Sequence, residues 1–196
     1  MSVDLLPEFI RTNYEVHEWK HACAVLHGDF PLEWKDIVDV LTVFRLQKSW
    51  ITVGGGRKSK ISEAIDSGLY AKDWEEKGFS TKVVVDESEM ITPTHKIDCY
   101  KNRVALEIEW NNKDPFYDRD LNNFRLLFDL RAISVGVIVT RTDELQDIFV
   151  ELGRGKSYGN STTHMSKLLP RIEGGAGGGC PLLVLGITKS LYKEEP

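Results

Sequence analysis

Long apolar runs are missing from this chain: no stretch approaches the ~20 residues that a membrane-spanning helix needs. The opening MSVDLLPEF has neither a basic start nor an apolar segment, so no secretory leader is expected there. Cysteine is scarce. Cys23, Cys99 and Cys180 are odd in number and widely spaced, which argues against a disulfide frame or a zinc site and fits reduced thiols in a cytoplasmic protein. His17, His21 and His27 form no ligand pattern with neighbouring side chains and are expected on helix faces. Gly54-Gly55-Gly56-Arg57-Lys58-Ser59-Lys60 lacks the fixed Gly-Lys-Ser/Thr spacing of a nucleotide loop; it reads equally as a solvated turn or as a basic loop touching a nucleic-acid backbone. Positive charge is not in excess either. The net charge of −5 argues against a protein that coats nucleic acid indiscriminately, but not against one that grips DNA in a local basic cleft.

What is present is an ordinary globular composition, 41% hydrophobic and 28% charged over 196 residues, sufficient for one domain with a sizeable core. The informative stretch is His95 to Lys113. From Arg103 to Trp110 the residues alternate, with Val104, Leu106, Ile108 and Trp110 on one side and Ala105, Glu107 and Glu109 on the other. That period predicts a half-buried strand with two carboxylates on one face. Asp98 lies upstream, and a Tyr100-Lys101-Asn102 turn would bring it to the same face. Three converging acids raise one another's pKa. A divalent cation removes that cost, and hard oxygen donors suit Mg²⁺. The plain alternative is a solvated strand face carrying unremarkable glutamates.

Around this hairpin the chain reads as helices and strands of one α/β domain, residues 1–196, with a mainly helical part over 1–78 and a sheet core over 79–190. Helices are predicted over Asn13–Leu26, from Pro31 to about Leu46, and over Ser62–Lys77 before Gly78. Trp50–Val53 and Phe79–Val85 read as strands, and Asp86–Pro93 as a loop. A strong helix begins at Pro115 and buries Phe116, Tyr117, Leu121, Phe124, Leu127 and Phe128, with Arg119, Asn122, Asn123 and Arg125 elsewhere on its circumference. Ser134–Thr140 is nearly all apolar, as in a strand covered on both faces. Strand, helix, strand predicts a parallel crossover. A helix opened by Thr142, a basic loop over Gly153–Asn160, a helix from Ser161 to about Leu169 and a closing strand from Pro181 to Ile187 follow, with a disordered or charged tail. The architecture is a central mixed sheet flanked by helices.

The residues from Ile97 to Ile187 resemble type II restriction endonucleases of the BglII and BstYI kind, in the PD-(D/E)xK nuclease superfamily, with BamHI as a structural relative. The likeness rests on Asp98, eight residues, Glu107, one residue and Glu109 within DCYKNRVALEIEW, followed by the long helix, the ISVGVIV strand, a helix with an acidic start, a polar loop and the LLVLGI strand. It implies a restriction-endonuclease-like fold and Mg²⁺-dependent hydrolysis of double-stranded DNA at a short palindrome, leaving 5′-phosphate and 3′-hydroxyl ends. It further implies that Asp98 and Glu107 are metal ligands with the Ile108 carbonyl as a third oxygen. Glu109 stands where most of the superfamily has Lys, BglII-like members have Gln, and BamHI has Glu; it would position or deprotonate water, or help hold a second metal. Lys113, Asn112, Arg119, Asn122, Arg154, Lys156, Thr162, Thr163 and His164 are the candidate DNA contacts. Two strands of a palindrome imply a two-fold homodimer.

Two rival readings remain at this point. One is a repair or modification-dependent endonuclease of the same superfamily. The other is a non-catalytic DNA-binding protein, which would bind duplex equally with and without Mg²⁺. A hydrolase of small phosphate esters is a weaker third.

Overall fold

In a computed structural model that describes residues 2–53 and 58–194, the chain begins with a 3-10 turn at Ser2–Leu5 and α1 (Glu8–Asn13). It continues through β1 (Tyr14–Trp19), α2 (Ala22–Asp29), α3 (Pro31–Val43), β2 (Leu46–Gln47), α4 (Lys48–Thr52), α5 (Lys60–Tyr70) and β3 (Glu75–Lys77). Then come β4 (Ser80–Val85), β5 (Ser88–Pro93), β6 (Ile97–Lys101), β7 (Val104–Ile108), α6 (Phe116–Asp129), β8 (Val135–Arg141), α7 (Leu145–Glu151), α8 (Met165–Glu173), β9 (Leu182–Ile187) and β10 (Tyr192–Lys193). Six strands form the central sheet in the order β1-β9-β8-β7-β6-β3. Strands β7, β8 and β9 run parallel, while β1 and β6 run antiparallel to their neighbours. This is the expected mixed sheet flanked by helices.

Both faces of the sheet are covered. Leu106, Ile108, Val137, Val139 and Leu185 point into a core shared with α1, α2, α3, α5 and α7. Ala105, Ile138 and Val184 point into a second core under α6 and α8. Strand β7 is therefore buried at every position, and the half-buried strand expected from the alternation is corrected. Its Glu-bearing face lies beneath α6 and is not open to solvent. Tyr117, Leu121, Phe124 and Leu127, fully buried on α6, contribute roughly 2 kcal/mol apiece to this packing. Gly136 permits it, because a Cβ there would come within 2.6 Å of the Phe124 ring.

Several local expectations are overturned. The stretch 14–26 opens as a strand, not a helix: β1 pairs antiparallel with β9, so the N-terminal part supplies a sheet edge, and its Glu15, His17 and Glu18 suit an unpaired edge. The segment 50–53 falls largely in helix α4. Helix α5 stops at Tyr70 and residues 75–77 pair with β6. Residues 88–93 form a hairpin with β4. The last helix of the pair predicted around the basic loop starts at Met165, four residues later than predicted. The tail adds β10 beside β2. The phosphate-cradle candidate Gly54 to Arg57 lies outside the described residues.

Candidate metal and DNA site

The β6–β7 hairpin turns at Asn102 and Arg103, whose φ values of 43° and 69° give the two-residue turn that matches strand twist, between the paired Lys101 and Val104. The reversal brings Asp98 back against Glu107. The Asp98 N–H donates to Glu107 Oε2 at 3.2 Å, and the Ile108 N–H donates to Asp98 Oδ2 at 3.0 Å. Asp98 and Glu107 thus meet, and it is the Ile108 N–H, not its carbonyl, that bonds to Asp98. Beyond the end of β7, the Glu109 N–H donates to the Val139 carbonyl at 2.9 Å, and Thr140 Oγ1 donates to the Glu109 carbonyl at 3.0 Å. Glu109 is thereby fixed at the carboxyl end of the parallel strands, where open α/β sheets bind their ligands.

Glu107 and Glu109 are 1% and 2% exposed. Burial, followed by the nearby charge of Asp120, raises the Glu107 pKa well above the ordinary carboxylate range. The same two causes raise Glu109 to about 9. Asp120 comes from α6, is fully buried, and is itself raised by burial. Its Oδ1 accepts from Arg119 Nε at 2.8 Å, and Arg119 Nη2 reaches Glu109 Oε1 at 3.3 Å. Asn112 Nδ2 donates to Glu109 Oε2 at 2.8 Å. Glu107 Oε1 and Asp120 Oδ2 are buried with no hydrogen-bond partner. Such oxygens are costly unless something binds them.

An all-oxygen donor set with orphaned buried oxygens fits a hard divalent cation. Among the described residues, no three acidic, His or Cys side chains already close around a single point. The Asp98 carboxylate is turned onto the Ile108 N–H.

Sequence reasoning passed over Asp120. The available signal was its place on the inward stripe of α6, three residues after Tyr117 and four before Phe124. An acid at a core position of an amphipathic helix is unusual unless paired.

The DNA-contact candidates separate into two groups. Thr163 is fully buried; its Oγ1 accepts from the Asn112 N–H at 3.1 Å, and its own N–H donates to the Asn112 carbonyl at 2.8 Å. Thr162 Oγ1 accepts from Arg141 Nη2 at 2.9 Å, and Thr162 forms a bridge with Lys113. His164 Nδ1 lies 2.8 Å from Asp143 Oδ1. Arg119 is held by the acids, and Arg154 Nη2 donates to the Val53 carbonyl. Thr162 and Thr163 thereby tie the 158–164 segment to Asn112 and Lys113, just beyond β7, and to Arg141 at the end of β8. Lys113, Asn122 and Lys156 have exposed side chains, with Asn122 Oδ1 accepting from Arg125. In the basic loop, Lys58 is ion-paired with buried Asp66, and Lys60 with Glu63 at 2.7 Å.

The family model for restriction endonuclease BglII/BglIII matches residues 14–187. The chain belongs to this family. No curated protein sequence matches it. As a BglII-type restriction endonuclease it is a type II site-specific deoxyribonuclease acting on double-stranded DNA, in a family whose members generally use divalent metal ions. The match reaches back to β1, beyond the Ile97–Ile187 stretch that carries the resemblance in sequence. Among the described residues, no helix of this BglII-type enzyme is long and apolar enough to cross a membrane.

Proposed function

We propose that this endonuclease uses Mg²⁺ to hydrolyse DNA phosphodiesters at a short palindrome, acts as a two-fold homodimer in the cytoplasm, and leaves 5′-phosphate and 3′-hydroxyl ends. We further propose that residues 1–196 form one nuclease domain. The observation that carries the reading is the buried Glu107–Glu109 pair, with an unpartnered Glu107 oxygen, set against Asp98 at the carboxyl end of the parallel strands. Asp98, Glu107 and the Ile108 carbonyl would hold the cation. When bound, the cation supplies charge stabilisation at the scissile phosphate and lowers the pKa of a bound water.

Glu109 is the proton acceptor and water-positioning group. Asn112 and Arg119 hold its two oxygens, so its carboxylate plane is fixed before DNA arrives, which preorganises the attack. Ionised only when positive charge beside it offsets its burial, Glu109 takes one proton from the attacking water as the water oxygen bonds to phosphorus. The bond from phosphorus to the 3′ oxygen breaks, and that oxygen leaves as a hydroxyl after gaining a proton. Lys113, Asn122 and Lys156 supply backbone or base contacts, with Asn112, Arg119, Arg154, Thr162, Thr163 and His164 shaping the surface that carries them. Three free, buried cysteines accord with a reducing compartment.

Incubation with a sequenced plasmid tests the reading. Discrete fragments in Mg²⁺, none in EDTA, and 5′-phosphate ends are expected. Random nicking, cleavage only of methylated DNA, or an intact plasmid that still binds the protein would each replace the proposal with one of its rivals.

A further inference from the structure

The acids gathered here outnumber the cation that the protein supplies. Glu107, Glu109 and Asp120 lie together under α6, and the guanidinium beside them is that of Arg119, 2.7 Å from Asp120 Oδ1 and 3.3 Å from Glu109 Oε1. Three carboxylates against one guanidinium leave a formal −2 when all are ionised. Arg119 occupies only one oxygen of Asp120. The other, Oδ2, is buried and unpartnered, as is Glu107 Oε1. The side chain of Asp120 is fully buried on the inward face of α6, so that oxygen is not satisfied by bulk solvent. Asp120 is also in side-chain hydrogen-bond contact with Glu109, and two carboxyls in contact in a dry site need either a shared proton or a cation between them.

We propose that Asp120 is a carboxylate of the metal centre, contributed by α6, so that the cation is held from the helix side as well as from the β6–β7 hairpin. The chain then presents acids from two elements whose separation is fixed by core packing, and the site does not rest on the hairpin alone. This assignment rests on the proposed metal-dependent reading and adds a ligand to it.

The test titrates Mn²⁺ alone into the full chain, following free Mn²⁺ by electron paramagnetic resonance. Variants Asp120→Asn and Asp120→Ser are compared with wild type and with Asp118→Asn, an exposed acid of the same helix paired to Arg171. Melting in EDTA is recorded for each. Expected is Mn²⁺ uptake weakened by about tenfold or more in both Asp120 variants, with uptake unchanged in Asp118→Asn. Their Tm in EDTA should be at or above that of wild type, because one of three crowded acids is gone. Using two variants keeps the result independent of a packing defect in either. Wild-type uptake in both Asp120 variants overturns the assignment and leaves the broader reading standing. Weakened uptake together with a lowered Tm assigns Asp120 to anchoring Arg119 and also overturns it. Absence of Mn²⁺ uptake by wild type overturns the metal-dependent reading itself.

Discussion

At the scale of single residues, the decisive feature is carboxylates kept where water cannot reach them. Glu109, with a pKa of about 9, binds its proton far more tightly in the folded chain than in the unfolded one, where its value is near the ordinary 4.5. Such a group costs stability as pH rises from about 4.5 towards 9, because the folded state must either keep the proton or bury a charge. Below that window both states are protonated and the cost vanishes. Glu109→Gln removes this titration. In EDTA, wild-type Tm should fall between pH 5 and pH 9 relative to the variant, and the variant should be more stable at pH 8 by about 1–3 kcal/mol. Thermal melts across pH check this; parallel curves for the two proteins would contradict it. The same residue scale shows what a sequence reveals. The approach of Asp98 to Glu107 was legible because strand alternation and a turn have fixed geometry. Asp120 was not, since a helix surface has room for acids and only the pattern of neighbours distinguishes an inward one. Thr163 and His164 read as DNA contacts because polar residues at the start of an expected helix look solvated; their partners, Asn112 and Asp143, are distant in sequence.

At the scale of elements, the site depends on how closely α6 lies on the sheet. Gly136 on β8 sets that distance: a Cβ would meet Phe124 at 2.6 Å and Leu182 at 2.9 Å, both buried and without space to retreat. Gly136→Ala should destabilise by about 1–3 kcal/mol and lift α6 from Glu107 and Glu109. Denaturant melts measure the first effect, and weaker cation uptake in the folded variant reports the second. A second anchor is Arg141 at the end of β8. It is buried, lies over the Phe149 and Tyr158 rings, and donates to Thr162 Oγ1 and the Tyr158 carbonyl. Burial lowers its pKa to about 10. Arg141→Met should release the 158–164 segment. The expected result is weaker DNA affinity with unchanged cation uptake; unchanged DNA affinity would remove Arg141 from that bracing role. Strands β7 to β9 were legible as runs of period two or as continuous apolar stretches, whereas β6 extends through Tyr100 and Lys101, where a turn was expected. Strands β1, β3 and β10 were not, because each is short or polar and exists through a partner far along the chain: Tyr14 pairs with Ile187, Glu75 with Tyr100, Tyr192 with Leu46.

At the scale of the whole molecule, the overall acidity and the DNA-binding role are reconciled by location. Acids are concentrated under α6, while Lys113 and Lys156 stay exposed. Lys113→Ala and Lys156→Ala should each reduce the slope of log affinity against log salt by about 0.9 if each contacts a phosphate. An unchanged slope would remove that lysine from the interface. The proposed two-fold pairing predicts a 2:1 protein-to-duplex complex by analytical ultracentrifugation. A 1:1 complex that still cuts both strands would contradict it.

Most directly, wild-type, Asp98→Ala and Glu107→Ala proteins can be compared for strand cleavage in Mg²⁺, with duplex affinity measured in parallel. Either substitution should slow cleavage by at least about 10²-fold with duplex affinity retained. Cutting at the wild-type rate by either variant would contradict the placement of the catalytic cation between β6 and β7.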